Sequence, residues 1–147
     1  MRFSTATGYA LQALAALPED DSYSLAKNLA SRLALPGPYL AKILQGLVQS
    51  GILESVRGPR GGFRLTRPSH RITVGEVVTA MEGPEAMEGC IMGFPSCGGE
   101  HPCPLHDAWA AVKAQVSTSM TEVTIRDLQL IDIRQQKDVT ERPVKQS

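Results

Sequence analysis

Apolar residues recur at helical spacing at the start of the chain. Residues 6–17 are rich in Ala and Leu, so they predict a helix that stops at Pro18. Ser4 or Thr5 stands just before this segment and is expected to serve as its N-cap. The chain therefore opens with a helix.

Two further helices follow, separated by a short turn that contains Pro and Gly. Residues 25–33 carry apolar side chains on one face, and Ser24 is the expected N-cap. The third helix runs from Pro38, a residue suited to a first helical turn, to Ser50, and Gly51 supplies the stop. Its non-core positions are Tyr39, Ala41, Lys42, Gln45 and Gln49. Two helices joined by a tight turn are typical of a helix-turn-helix.

A short β-hairpin with a basic tip follows the third helix. Residues 52–56 and 63–65 alternate like strands, and the segment between them consists of turn-forming residues and two arginines, Arg57 and Arg60. Gly61 is expected to let the backbone turn tightly and approach a duplex. Guanidinium groups at such a tip can reach phosphates or enter a minor groove. A basic hairpin just after a helix-turn-helix predicts a wing.

The C-terminal half carries a helix, a loop and a longer helix. Thr73 and Glu76 form a capping-box pattern that opens a helix ending at Gly83, and Pro104 is expected to start the next helix after a Cys-containing loop. A 4-3-4 spacing on that helix predicts a dimerisation seam, formed by Leu105, Trp109, Val112 and Val116. The expected divisions are a DNA-binding domain (1–82), a cysteine loop (83–103), a dimerisation helix with a short C-terminal helix (104–131) and a disordered tail (132–147).

Charge divides the chain although its net charge is zero. Residues 1–71 carry nine basic and four acidic side chains, whereas residues 72–147 carry six basic and eleven acidic ones. Such asymmetry is expected when one part of a protein contacts a polyanion. No apolar run approaches the roughly 20 residues of a membrane span, and the first residues lack the apolar region of a signal peptide. We therefore expect a cytoplasmic protein with no membrane partner.

Three cysteines, Cys90, Cys97 and Cys103, are clustered in one loop, and His106 follows the last of them by one helical turn. An odd, clustered set argues against a disulfide framework and for metal ligation or redox chemistry. Their wide spacing favours an iron–sulfur cluster over a structural zinc site, and metal-free redox thiols are the third alternative. A hydrolase built on Cys103, His106 and Asp107 is disfavoured, because two other thiols lie beside them. The chain is therefore not expected to be an enzyme.

Several segments resemble the IscR/NsrR family of bacterial iron–sulfur transcription regulators. The similarity runs from residue 1 to about residue 131, and its motifs are residues 1–4 (MRFS), Tyr9-Ala10, residues 38–40 (PYL), 56–65 (VRGPRGGFRL), 72–78 (ITVGEVV) and 103–109 (CPLHDAW). The resemblance implies a mainly α winged helix-turn-helix protein with a small β-hairpin wing and a long dimerisation helix. It also implies a homodimer that binds a roughly palindromic DNA operator, one cluster per subunit, and a repressor that senses iron–sulfur, redox or nitric oxide status.

The resemblance assigns roles to individual residues. Cys90, Cys97 and Cys103 match the cluster thiolates, and His106 matches the histidine ligand of IscR-like members. Gly8 stands where NsrR-like members have an acidic residue, which favours a 2Fe-2S cluster over a 4Fe-4S cluster, and one extra residue separates Cys90 from Cys97 relative to IscR. The residues predicted to contact DNA are Arg2, Pro38, Tyr39, Lys42, Gln45, Arg57, Arg60, Gly61 and Arg64.

Overall fold

The computed structural model describes residues 3–90, 92–94 and 100–131, and in them the chain forms six α-helices and one β-hairpin. The elements are α1 (Thr5–Ala15), α2 (Ala26–Leu33), α3 (Gly37–Gln49), β1 (Leu53–Val56), β2 (Gly62–Leu65), a 3₁₀ turn (Ser69–Arg71), α4 (Val74–Glu82), α5 (His106–Glu122) and α6 (residues 125–131). The predicted mainly α fold with a hairpin wing and a long helix is confirmed. The predicted disordered tail, 132–147, lies outside the described residues.

Helix ends confirm the sequence-based capping predictions at three places. Ser4 caps α1, and its hydroxyl accepts a hydrogen bond from the Thr7 backbone N–H. Gly51 follows α3 with a φ of +81°, the left-handed conformation that stops a helix. Thr73 and Glu76 make both hydrogen bonds of the capping box at the start of α4. Local side-chain chemistry thus defines where these helices begin and end.

The predicted role of Ser24 as a helix cap is wrong. The N-cap of α2 is Leu25, and no side chain caps this helix. The backbone of Ser24 pairs with Phe63 instead, through Ser24 N to Phe63 O at 2.9 Å and Phe63 N to Ser24 O at 2.8 Å. Backbone groups of Ser24 therefore extend the hairpin by one bridge, which ties the wing to the connection between α1 and α2.

The predicted start of the long helix at Pro104 is also wrong. α5 begins at His106, and Leu105 is its N-cap residue. Pro104 lies in a turn that is closed by a hydrogen bond from His106 N to Cys103 O at 3.0 Å. Proline suits the second position of such a turn as well as it suits a first helical turn, so its fixed φ did not distinguish the two.

The core lies between α1, α3 and α4 and extends to α6. Its fully buried side chains include Leu14, Leu40, Leu44, Leu47, Leu53, Ile72, Val77 and Ile125. A bridge between Thr73 and Thr124 joins the start of α4 to the start of α6, with Val74 N to Val123 O at 2.9 Å. The far end of α5 is therefore fixed to the N-terminal part of the fold. Within the described residues, no helix is both long and apolar enough to cross a membrane.

Candidate nucleic-acid interface and cysteine loop

α3 presents a polar face opposite its buried one. Leu40, Ile43, Leu44 and Leu47 are buried, whereas Pro38, Tyr39, Lys42 and Gln45 are exposed, as the sequence predicts for a recognition helix. Gln49 is exposed four residues after Gln45 and extends this face by one turn. The ring of Tyr39 packs edge-on against Tyr9 with centroids 6.1 Å apart, so α1 positions this aromatic side chain at the first turn of α3.

The tip of the hairpin exposes both arginines of the wing. Arg57 and Arg60 are exposed, and a turn between them is closed by a hydrogen bond from Gly61 N to Gly58 O at 3.0 Å. Gly61 itself is buried, and a Cβ there would lie 2.1 Å from the carbonyl oxygen of Val56. The structure therefore gives Gly61 the role of shaping the tip, while the arginine side chains face solvent.

The Arg64 side chain, which is 37% exposed, makes contacts with other residues of the protein at the base of the wing. Its guanidinium pairs with Glu54 on the neighbouring strand, lies 4.4 Å from the centre of the Tyr23 ring, and donates to Asp21 O at 3.2 Å. The hydrogen bond to Glu54 raises the pKa of Arg64 above its ordinary value. These contacts fix the base of the wing to the connection before α2. The other arginine predicted at the DNA surface, Arg2, lies outside the described residues.

The structure brings two of the three cysteines together. The sulfur atoms of Cys90 and Cys103 are 3.6 Å apart, and the Met92 backbone N–H donates to the Cys90 sulfur at 3.4 Å. Both cysteines are half-buried, and so is His106, the first residue of α5. Cys97 lies outside the described residues. The cysteine loop thus closes directly onto the start of the long helix.

Two side chains of α5 hold the loop beside the cysteines. Trp109 Nε1 and Lys113 Nζ both donate to the Gly89 carbonyl oxygen, at 3.2 Å and 3.3 Å. The sequence-based prediction placed Trp109 in a dimerisation seam and gave Lys113 no role. Trp109 and Lys113 are four residues apart, so they lie on the same face of a helix, and both side chains are hydrogen-bond donors. This spacing could have suggested that they share an acceptor. Gly89 immediately precedes Cys90, so these contacts set the position of the first thiol relative to α5.

The predicted seam leaves apolar surface on α5. Leu105 and Val112 are each 47% exposed, and Trp109 and Val116 are half-buried. Exposed Leu130 and Ile131 on α6 add to the apolar surface of this C-terminal part of the chain. Helices that carry such residues are commonly covered by another subunit.

The distance between the two described cysteine sulfurs suits ligation of one metal ion. Two thiolates bound about 2.3 Å from one tetrahedral metal ion lie about 3.8 Å apart, close to the 3.6 Å between Cys90 and Cys103. The residues therefore fit cysteine ligation of either iron or zinc. In the described ranges, no group of three or more Cys, His, Asp or Glu side chains is arranged to hold a metal ion. Cys90, Cys103 and His106 all lie in those ranges, so the structure does not bring the predicted ligand His106 into one metal-binding group with the two thiols; the third thiol, that of Cys97, lies outside them.

Comparison with known proteins identifies the family. Residues 3–130 match the model of the Rrf2 family, described as an iron-dependent transcriptional regulator. This chain belongs to the Rrf2 family. Among its relatives, an HTH-type transcriptional regulator of Aquifex aeolicus is 33% identical over 131 residues, which cover 87% of this chain and 91% of the relative. IscR of Yersinia pseudotuberculosis is 28% identical over 130 residues, covering 87% of this chain and 79% of IscR.

Solved structures of other Rrf2 proteins share the fold. CymR, the global cysteine regulator of B. subtilis, superimposes with a TM-score of 0.74 at 24% identity and covers 89% of this chain and 98% of its own. IscR of T. potens superimposes with a TM-score of 0.66 at 25% identity and covers 100% of this chain and 94% of its own. The resemblance and the winged-helix fold are thereby confirmed. The Rrf2 chain is a DNA-binding transcriptional regulator and not an enzyme.

Proposed function

We propose that this Rrf2 protein is a homodimeric repressor whose operator binding responds to the state of a 2Fe-2S cluster. Cys90, Cys97, Cys103 and His106 are the proposed ligands. The observation that carries the proposal is the 3.6 Å approach of the Cys90 and Cys103 sulfurs at the start of α5. Thiolate and imidazole together are a donor set that iron–sulfur clusters accept. When bound, the cluster supplies a centre that reacts with oxidants or nitric oxide.

The proposed DNA surface combines the exposed face of α3 with the tip of the wing. Lys42 and Gln45 on α3 are placed to contact phosphates and base edges, and Arg57 and Arg60 to contact the backbone or the minor groove. Arg64 and Gly61 are left out of this surface, since Arg64 is engaged by Glu54 and Gly61 is buried. Their contribution to binding is to hold the wing in shape.

The dimer is proposed to form through the apolar face of α5. Val112 on this helix and Leu105 at its N-cap each expose nearly half of their surface, which a second copy would cover. A dimer places its two recognition helices about one turn of DNA apart, roughly 34–36 Å. A change in the orientation of α5 at its first turn would alter the distance between the two recognition helices.

The chain's own contacts connect the loop to the dimer helix. Trp109 and Lys113 fix Gly89, and the turn from Cys103 to His106 leads directly into α5. When the cluster is lost and the cysteine thiols are freed, the resulting structural change is therefore expected to affect α5 before it affects α3. We expect operator affinity to change by about 5–150-fold on cluster loss, the usual range for coupled sites, while the winged part stays folded.

Two alternative states of the loop follow from the same sulfur contact. A structural zinc ion would be held by the same donors. In the metal-free state, the Cys90 and Cys103 thiols could form a disulfide, losing two protons and passing two electrons to an external oxidant such as a peroxide. The contact between the Cys90 and Cys103 sulfurs needs no metal ion, so a regulator that responds to oxidation of these thiols is the second candidate.

Chemical analysis of anaerobically purified protein separates these states. We expect broad visible absorption with iron and sulfide in equal amounts, and its loss in Cys90→Ser, Cys97→Ser and Cys103→Ser. His106→Ala should alter the spectrum, whereas His101→Ala, which changes an exposed histidine of the same loop, should not. Stoichiometric zinc without sulfide would contradict the cluster and support a structural zinc site. A colourless protein with no metal would contradict both metal sites and support metal-free thiols.

Operator affinity of the holo protein, the apo protein and the triple Cys→Ala variant, at one salt concentration, tests the coupling. Arg57→Ala should cost about 1–3 kcal/mol of specific binding. Lys42→Ala should weaken all sequences alike and lower the salt slope by about one. Equal affinities of three folded dimers would leave a DNA-binding protein without a sensor.

A further inference from the structure

Glu82 lies at the end of a helix where its own charge is unfavourable. It is the last residue of α4, and the C-terminal end of a helix carries a partial negative charge that repels a carboxylate. The side chain reaches the first turn of α1 instead. Its Oε1 accepts hydrogen bonds from the Ser4 backbone N–H at 2.6 Å and from the Thr7 hydroxyl. Glu82 thus stabilises the beginning of a neighbouring helix.

The first turn of α1 depends on this carboxylate for two reasons. It contains no acidic residue of its own, so Glu82 supplies the negative charge that favours a helix N-terminus. Thr7 is fully buried, so its hydroxyl needs a partner inside the protein, and Glu82 accepts from it. Ser4 and Thr7 are also joined to each other, with their hydroxyl oxygens 3.1 Å apart. The three residues therefore form one network at the start of α1.

α1 in turn contacts the helix proposed to bind DNA. Tyr9, two residues after Thr7, packs edge-on against Tyr39 in the first turn of α3. Ala10 of α1 and Leu40 of α3 are fully buried in the same core. A shift of the first turn of α1 would therefore be passed to the first turn of α3.

We propose that Glu82 is a positioning residue for operator binding, which acts on the recognition helix through α1 and the contact between Tyr9 and Tyr39. The inference rests on the proposed use of α3 as the recognition helix, and it does not depend on which group the cysteines bind. Charge alone predicts the opposite effect of removing Glu82. Loss of a carboxylate lessens repulsion of DNA, so it would leave binding unchanged or strengthen it.

Operator affinity of Glu82→Ala tests the proposal. The probe is a duplex that the wild-type, full-length protein selects from a random-sequence library, and a shuffled duplex of the same composition measures non-specific binding. We expect specific binding to weaken by about 2–30-fold, the usual effect of residues that act on a binding site from a distance. Affinity for the shuffled duplex should not fall, because no phosphate contact is lost. Glu82→Gln keeps an oxygen for the Ser4 N–H and should restore most of the specific affinity.

Two controls separate positioning from charge and from stability. Glu122→Ala removes an exposed carboxylate from the last residue of α5, so it makes the same change in charge at another helix end. Thr73→Ala removes the capping box at the opposite end of α4 and lowers stability there. Both variants should bind the operator like the wild type. An equal loss of affinity in Thr73→Ala and Glu82→Ala would show a general effect of stability and overturn the proposal.

A double-mutant cycle tests the route through Tyr9. Tyr9→Leu removes the ring contact with Tyr39 and should itself weaken operator binding. In that background, Glu82→Ala should cost little further affinity, because the contact through which it acts is already lost. Additive losses would overturn the proposal. If Glu82→Ala does not fold, Thr7→Val takes its place, since it removes the hydroxyl donor and keeps the side-chain shape.

Lys42→Ala, measured on the same two duplexes, separates failure of this inference from failure of the proposed DNA surface. If Lys42→Ala weakens binding and Glu82→Ala leaves it at the wild-type value, the role of Glu82 alone is refuted. If neither variant weakens binding, α3 is not the recognition helix, and both proposals fail.

Discussion

Replacing Gly62 by Ala should detach the wing from the connection before α2. Gly62 has a φ of +123°, and a Cβ there would lie 2.1 Å from the carbonyl oxygen of Ser24. The backbone conformation alone costs a non-glycine residue roughly 1–3 kcal/mol. Loss of the two hydrogen bonds between Ser24 and Phe63 adds about 0.5–1.5 kcal/mol each. We therefore expect Gly62→Ala to lower the free energy of unfolding by roughly 2–6 kcal/mol.

Gly58→Ala is the matched control for this prediction. Gly58 has a similar φ of +115°, but a Cβ there meets nothing within 4 Å. It should therefore lose only the conformational part, roughly 1–3 kcal/mol. Urea unfolding followed by circular dichroism measures both values, with all proteins at one concentration because the proposed dimer would make stability concentration-dependent. Equal losses in the two variants would refute the steric argument at Ser24.

Two further predictions concern the contacts of α4. Gly75→Ala should lower the free energy of unfolding by roughly 1–3 kcal/mol, because its Cβ would lie 3.1 Å from the Met120 backbone oxygen of α5. The control is Gly46→Ala on α3, where a Cβ meets nothing within 4 Å; it should raise the free energy of unfolding by about 0.5–1 kcal/mol in the same urea assay. Equal effects would show that α4 and α5 are not tightly packed. The hydrogen bond from Thr7 lowers the pKa of Glu82 below its ordinary value of 4.5. The ionised Glu82 carboxylate should therefore stabilise the fold fully above pH 4.5, and this stabilisation should disappear as the pH falls through the lowered pKa. Thermal unfolding between pH 6 and about pH 3 should show a smaller loss of stability for Glu82→Gln than for the wild type; parallel curves would contradict this.

The sequence predicted the elements whose ends depend on local chemistry. The Ser4 cap, the Thr73–Glu76 capping box and the glycine stop at Gly51 all act through neighbours within a few residues, so the pattern of residue types defines them. The role of Ser24 was missed because its partner, Phe63, lies 39 positions away. Cap-forming propensity was outweighed there by backbone pairing with the wing, which a single sequence does not reveal.

In the candidate sites, too, features that depend on nearby residues could be predicted, and features that depend on tertiary contacts could not. Exposure of Lys42 and Gln45 follows from helical spacing, and Cys90 and Cys103 meet because they lie in one loop. The engagement of Arg64 by Glu54 depends on strand register, and the burial of Gln129 depends on how α6 packs against the end of α1. Both contacts depend on parts of the chain that are distant in sequence or on strand pairing, so the sequence around Arg64 and Gln129 did not indicate them.

The attachment of α5 at both ends has a mechanical consequence. Hydrogen bonds from Trp109 and Lys113 hold its first turns to Gly89, and backbone bonding around Val123 holds its last turn to α4. A helix of 17 residues is about 25 Å long, so pivoting it by roughly 5° about the Val123 end would displace the opposite end by about 2 Å. Spin labels on α5 of the two subunits would register such a displacement as a change in distance. Under the proposed coupling, loss of the contacts to Gly89 would leave α5 held only at its C-terminal end, and the end that carries His106 would then be the one that moves.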